Sequence, residues 1–210
     1  MSGWQKHLLG GLCWLLISMQ PALSDGHKTD ELTDAYFNQG VQAVRDEDYF
    51  TAITIFTAFA EAMQADAQYS LAILLKSGKG QPQNFQQALI WAWLAHLGNE
   101  DRAADLARDL LKILDEEAIE AARASVFGSL QSLIDTGDSN AIIKMARYYQ
   151  EIVSEPEPEE IYIWYAIAAA LNLEGGFEAR DEAYENLDGD AEIVALQTEA
   201  NKRFNAFVAR

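Results

Sequence analysis

The sequence predicts an all-α protein, a right-handed α-solenoid of stacked helix hairpins. Three observations predict it. Apolar residues recur at helical steps along nearly the whole chain, as at Ala52, Ile55, Phe56, Phe59, Ala60 and Met63. No sustained period-two alternation marks a strand. A helical pattern also recurs at a near-constant distance: Ala67, Leu71, Ala72 and Leu75 return at one common offset as Ala141, Met145, Ala146 and Tyr149.

The N-terminal segment is expected to lie outside this fold. Residues 1–7 carry one lysine, Lys6, and an apolar run of 12 residues follows from Leu8 to Met19. Small residues at Ala22 and Ser24 then suit a signal-peptidase cut after Ser24. A membrane span needs about 20 apolar residues, so this shorter run reads as a signal peptide and not an anchor. The chain's single cysteine, Cys13, sits inside the run behind Leu12, where it reads as a small hydrophobe. Residues 25–32 are polar and read as a flexible leader.

The solenoid is expected over residues 33–210. A first hairpin occupies 33–64, with Gly40 and Ala52 as its paired small residues and Asp48-Tyr49 at the turn. One repeat half follows over 66–138 and a second over 139–210. Besides the matches already named, Ile90-Trp91 returns as Ile163-Trp164, and Ala107-Arg108-Asp109 returns as Ala179-Arg180-Asp181. The offset drifts by one position at each of these steps, which places small length changes in the loops. Asp66 and Ser139 are placed to cap helices. Gly78-Lys79-Gly80-Gln81-Pro82 and the acidic-proline segment Glu155 to Glu160 separate helix pairs, and Gly98 and Gly175-Gly176 end helices. A single hairpin cannot bury its apolar stripe, so neighbours must stack, with Trp91 and Trp164 filling the space between hairpins.

Charge bounds the function. Acids outnumber bases 33 to 15, for a net charge of -18 over 210 residues. Such a chain lacks the basic footprint that phosphate neutralisation needs, which excludes nucleic acid as a partner. It favours a protein partner with a basic surface. With the signal removed, no cysteine is left for redox disulfides or thiolate metal sites. Export, acidity and the missing thiol fit a periplasmic protein, with no membrane insertion after cleavage.

The string Ala67-Gln68-Tyr69, Leu71-Ala72, Gly78-Lys79-Gly80, Pro82-Gln83-Asn84, Ala88, Trp91 and Ala95 resembles the Sel-one-like repeat family of exported bacterial proteins. Residues 140–197 resemble a degenerate second copy, with the acidic-proline segment in place of the Gly-x-Gly loop. The hairpin at 33–64 is similar to the related tetratricopeptide repeat. The resemblance implies a scaffold that binds other proteins and carries no catalytic residues. Some secreted members with a cysteine pair per repeat are linked to β-lactam chemistry, and those cysteines are missing here.

The chemistry of single residues agrees with a non-catalytic reading. His27 falls in the leader, and His96 takes a helix position whose counterparts are Ala60 and Ala169. Phe127-Gly128-Ser129 sits in a helical tract, where no nucleophile elbow forms. Asp188, Asp190, Glu192 and Glu199 have calcium-loop spacing, but Ile193 stands where the loop needs glycine. The recurrent Arg108-Asp109 and Arg180-Asp181 read as architectural. No cofactor and no metal are expected. The function expected is a periplasmic adaptor that binds protein along a concave groove, lined by the first helix of each hairpin. Its candidate contact residues are Ser70 and Leu74 in one half, and Lys144, Arg147 and Tyr148 in the other. The alternatives are a periplasmic small-ligand or metal-binding protein, or a hydrolase of the β-lactam-related type.

Overall fold

A computed structural model describes residues 32–187, 189 and 192–210. The signal segment and nearly all of the leader, with His27, lie outside the described residues, as do Asp188 and Asp190. The elements are α1 (Asp34–Arg45), α2 (Tyr49–Glu61), α3 (Ala65–Ser77), α4 (Phe85–Leu97), α5 (Arg102–Leu111) and α6 (Glu116–Asp135). Then come α7 (Asn140–Arg147), which runs on into a π-helical turn at Tyr148–Ile152, α8 (Pro158–Ala170), α9 (Gly176–Glu185) and α10 (Ile193–Val208). The described residues contain no strand.

The architecture is an all-α, solenoid-like repeat. From α1 to α5 each helix packs on its successor, and α7, α8 and α9 do the same. In addition α4 touches α6, and α8 touches α10. The unit α3–α6 is thus repeated as α7–α10, and the contact of α6 with α7 joins the two halves.

The helix starts follow from local chemistry. Thr33, Asp48, Asn84 and Asp115 each accept a hydrogen bond from the backbone N–H three positions on, at 3.2, 3.2, 3.0 and 2.9 Å. Two expected caps are corrected. The Gln64 carbonyl already accepts from Gln68 N–H, so α3 starts early and Asp66 falls inside its first turn, bonding Ala67 N–H at 2.9 Å. At α7 the capping oxygen belongs to Asp138, which accepts from Asn140 N–H at 2.9 Å, and not to Ser139.

The glycines divide by role. Gly78 ends α3 in the left-handed region, with φ 68°. Gly98 has an ordinary φ of -87°, and the left-handed residue is its neighbour Asn99, matched in the second half by Asn172. Gly98 is small for a different reason: a Cβ there would sit 2.8 Å from the Ala65 Cβ. At Gly176 a Cβ would come within 2.9 Å of the Ala168–Ala169 backbone, so glycine lets α9 approach α8.

α4 and α8 are apolar on almost every side because each is covered by three helices. Trp164 is buried, but in α4 the buried indole is Trp93, at 4 % exposure. Trp91 is only partly buried against the core, which corrects its expected role as a spacer equal to Trp164. The two halves also register differently from the sequence matches in one place. The buried positions Ala103 and Leu110 of α5 correspond to Gly176 and Ala183 of α9. The Arg-Asp pairs are one position closer together than this, so they occupy different places. Arg108 pairs with Asp105, while Arg180 pairs with Asp181 and lies over the Phe177 ring.

Candidate functional site

A trough opens between α6, the last helix of the first half, and α10, the last helix of the second. Phe127, Gln131 and Ile134 form one stripe of α6, and Arg203 and Phe207 of α10, with Arg210 just past its end, form the facing stripe. Each stripe covers two helical turns, about 10 Å along the axis. Ile142, Tyr149, Trp164 and Ile167 form the floor, and the cavity holds about 320 Å³. A second cavity of about 400 Å³ lies on the other flank of α10, against Tyr162 of α8 and Phe177 of α9.

The trough exists because α10 packs more loosely than α6. α6 buries Ile119, Ala122, Val126, Leu130 and Ile134 along its whole length. α10 buries only Leu196 and Ala200, in its first half. Its second half rests on the partly buried Phe204 and Phe207 and on ion pairs. The Arg203 guanidinium grips both Glu160 carboxylate oxygens at 2.7 and 2.8 Å, donates to Glu199 at 3.0 Å and lies over the Trp164 ring. Arg210 donates to the Ile134 carbonyl, which also accepts from Gly137 N–H at the C-terminal end of α6, and to Asp135 at 2.8 Å.

Aromatic rings shape the trough from below. Tyr149 meets Phe127 and Tyr148 edge to face, with centroids 6.4 and 5.4 Å away. Burial, with the nearby Glu160 and Glu157 charges, pushes the Tyr149 phenol up to about 12, so it stays a neutral hydroxyl. The Trp164 indole N–H donates to Glu160 at 3.1 Å. The surface offered is apolar and aromatic, and its two guanidinium groups already have acid partners.

The five expected contact residues do not share a surface. Leu74 is a core residue at 3 % exposure, and Tyr148 is likewise buried, its hydroxyl on the Arg123 carbonyl at 3.3 Å. Both are corrected from groove to core. Ser70 is half-buried and donates to the Asp66 carbonyl at 2.8 Å. Lys144 is half-buried as well, and burial lowers its ammonium pKa against the opposing pull of Asp138. Arg147 is a strut between the halves: it donates to Glu151, to the Leu97 carbonyl at 3.1 Å and to Asn99 Oδ1 at 2.7 Å. His96 joins the same junction, its Nε2 2.6 Å from Glu151. Burial resists ionisation of Glu151, but the His96 and Arg147 bonds outweigh it and hold the carboxyl at about 2. Ile142 of α7 and Tyr149 of the π-helical turn reach the trough floor together with Trp164 and Ile167 of α8, while the walls come from α6 and α10.

Sequence reasoning misses Phe127, Arg203, Phe207 and Arg210. A signal is present in the i, i+4, i+7 spacing of Arg203, Phe207 and Arg210, but α10 and its counterpart α6 share no matched residue string to draw attention to it. Of the calcium-spaced acids within the described residues, Glu199 is committed to Lys202 and Arg203. Among the described residues no group of three or more His, Cys, Asp and Glu side chains is arranged to hold a metal ion, and no helix is long and apolar enough to cross a membrane. No protein-family model matches the chain, and no curated protein matches it.

Proposed function

We propose that this protein is a non-catalytic, Sel-one-like adaptor, exported to the periplasm, that binds a segment of another protein in the trough between α6 and α10. The observation that carries the reading is the contrast between the halves. The same architecture is built twice, and α6 seals against its neighbours along its length while α10 leaves an aromatic-lined opening. An opening that the repeat does not require is a specialised surface. Aromatic and arginine side chains are the residues that dominate binding energy at protein interfaces. The net charge of -18 favours a partner with basic residues around its apolar anchors.

Site-specific photo-crosslinking tests this. A crosslinking residue placed at Gln131 or Phe207 should capture one discrete protein in intact cells, while one at the exposed Lys112, just after α5, should not. Equal capture from all three positions would defeat the proposal. A second reading, a small apolar ligand, draws on the trough volume, which lies at the low end of small-molecule sites. It predicts thermal stabilisation by a compound that Phe207→Ala removes.

A further inference from the structure

We propose that the cavity between the acidic-proline segment, α8 and α9 receives a lysine side chain of the partner protein. This rests on the protein-binding reading and extends it to a separate surface. The cavity holds about 270 Å³, and Pro156, Pro158, Ile161, Tyr165 and Ala183 give it apolar walls. Glu182, an exposed residue of α9, is the one acidic residue of the lining and has no ion-pair partner among the described residues. An aliphatic stem against apolar walls with a cationic head at an acid is how a lysine side chain buries itself. The surrounding sequence has the right sign: residues 152–187 hold nine acids and one base, Arg180, which is paired with Asp181, and of the nine only Glu160 is taken by a cation from another helix, Arg203.

The internal repeat supplies the comparison. In the register that aligns Ala103 with Gly176 and Leu110 with Ala183, the first-half residue corresponding to Glu182 is Asp109, and it is held by two lysines. Lys76 Nζ lies 3.6 Å from one carboxylate oxygen and Lys112 Nζ 3.1 Å from the other. In the second half both cations are gone. Gln150 stands in the place of Lys76, one position beyond the Leu75–Tyr149 match, and Glu185 stands in the place of Lys112. Gln150 is engaged elsewhere, accepting from the Tyr165 hydroxyl at 3.1 Å. The fold thus keeps the acid and the position for an ammonium group, but provides no ammonium of its own.

The test is an NMR titration of the 15N-labelled protein with three probes: N-acetyl-lysine N-methylamide, its norleucine counterpart and 1,5-diaminopentane. The lysine probe should shift the Ile161, Tyr165 and Ala183 amides saturably, and the norleucine probe should not. Glu182→Gln should weaken the lysine probe about threefold to fivefold, the range of a partly exposed ion pair. Gln150→Lys should abolish its binding, because the variant supplies the ammonium internally as Lys76 does. Equal shifts with norleucine, or lysine binding unchanged in both variants, would overturn the inference. Diaminopentane binding tenfold tighter than the lysine probe would also overturn it, since the site would then be a receptor for free amines. The trough crosslinks do not read this cavity. A failed titration with intact crosslinks therefore sinks the lysine pocket alone, and failed crosslinks with an intact titration sink the trough alone.

Discussion

Single side chains in this protein show how close sequence neighbours can be and still differ in role. Trp91 and Trp93 lie two positions apart on α4, yet only Trp93 is enclosed. Trp93→Ala and Trp164→Ala are each expected to cost about 3–5 kcal/mol in chemical denaturation. Trp91→Ala should cost clearly less, and equal losses at Trp91 and Trp93 would contradict the burial. Glu151 makes a pH prediction. Its ordinary value is 4.5 and its folded value about 2. A carboxyl depressed by folding stabilises the protein above the unfolded value, and that contribution fades as pH falls through the folded one. Stability should therefore drop between about pH 4.5 and pH 2, and Glu151→Gln should flatten that part of the profile. A variant with an unchanged slope would remove Glu151 from the account.

At the level of the helix, the π-helical turn explains why the repeat offset shrinks by one between α3 and α4. The turn carries the helix to Ile152, one position further than the end of α3 at Ser77 would place it. The connection that follows, 153–157, is two positions shorter than its counterpart, 78–84, in the first half. One position gained and two lost give the net change of one. Two glycines offer opposite tests of helix packing. Gly128 sits in the interior of α6 with nothing within 4 Å of a Cβ, so Gly128→Ala should stabilise by about 1 kcal/mol. Gly176→Ala would push into the backbone of α8 and should destabilise by about 1–3 kcal/mol. Both are read from melting in urea, and equal signs for the two would be inconsistent with these contacts.

Across the whole molecule, stability should be uneven. α10 buries two side chains and is flanked by cavities on both sides, while α8 is enclosed. Amide hydrogens of α10 are expected to exchange well before those of α8, and simultaneous exchange would show that α10 is part of the cooperative core. The duplication is legible in the sequence because α3 and α7 place the same kind of small and apolar residues in the core: the buried Ala67, Leu71 and Ala72 return as the buried Ala141, Met145 and Ala146. The trough is not legible there. Its walls come from α6 and α10, far apart in the chain at Phe127 and Arg203, and what makes it is incomplete packing, which no periodicity records. Leu74 and Tyr148 belong to the core and not the groove for a related reason. A helix covered on more than one side keeps only a narrow free stripe, in α3 the one through Asp66, Ile73 and Ser77, so positions off the main apolar face are also buried.

The enclosure of α4 and α8 has a consequence for how the gene tolerates change. In a saturation mutagenesis library scored for folded protein, most helices should show a striped record, with charged replacements accepted on every third or fourth residue. The two enclosed helices should instead appear as unbroken intolerant blocks from Ala88 to Leu97 and from Ile161 to Ala169, interrupted only at the few partly exposed sites such as Trp91 and His96.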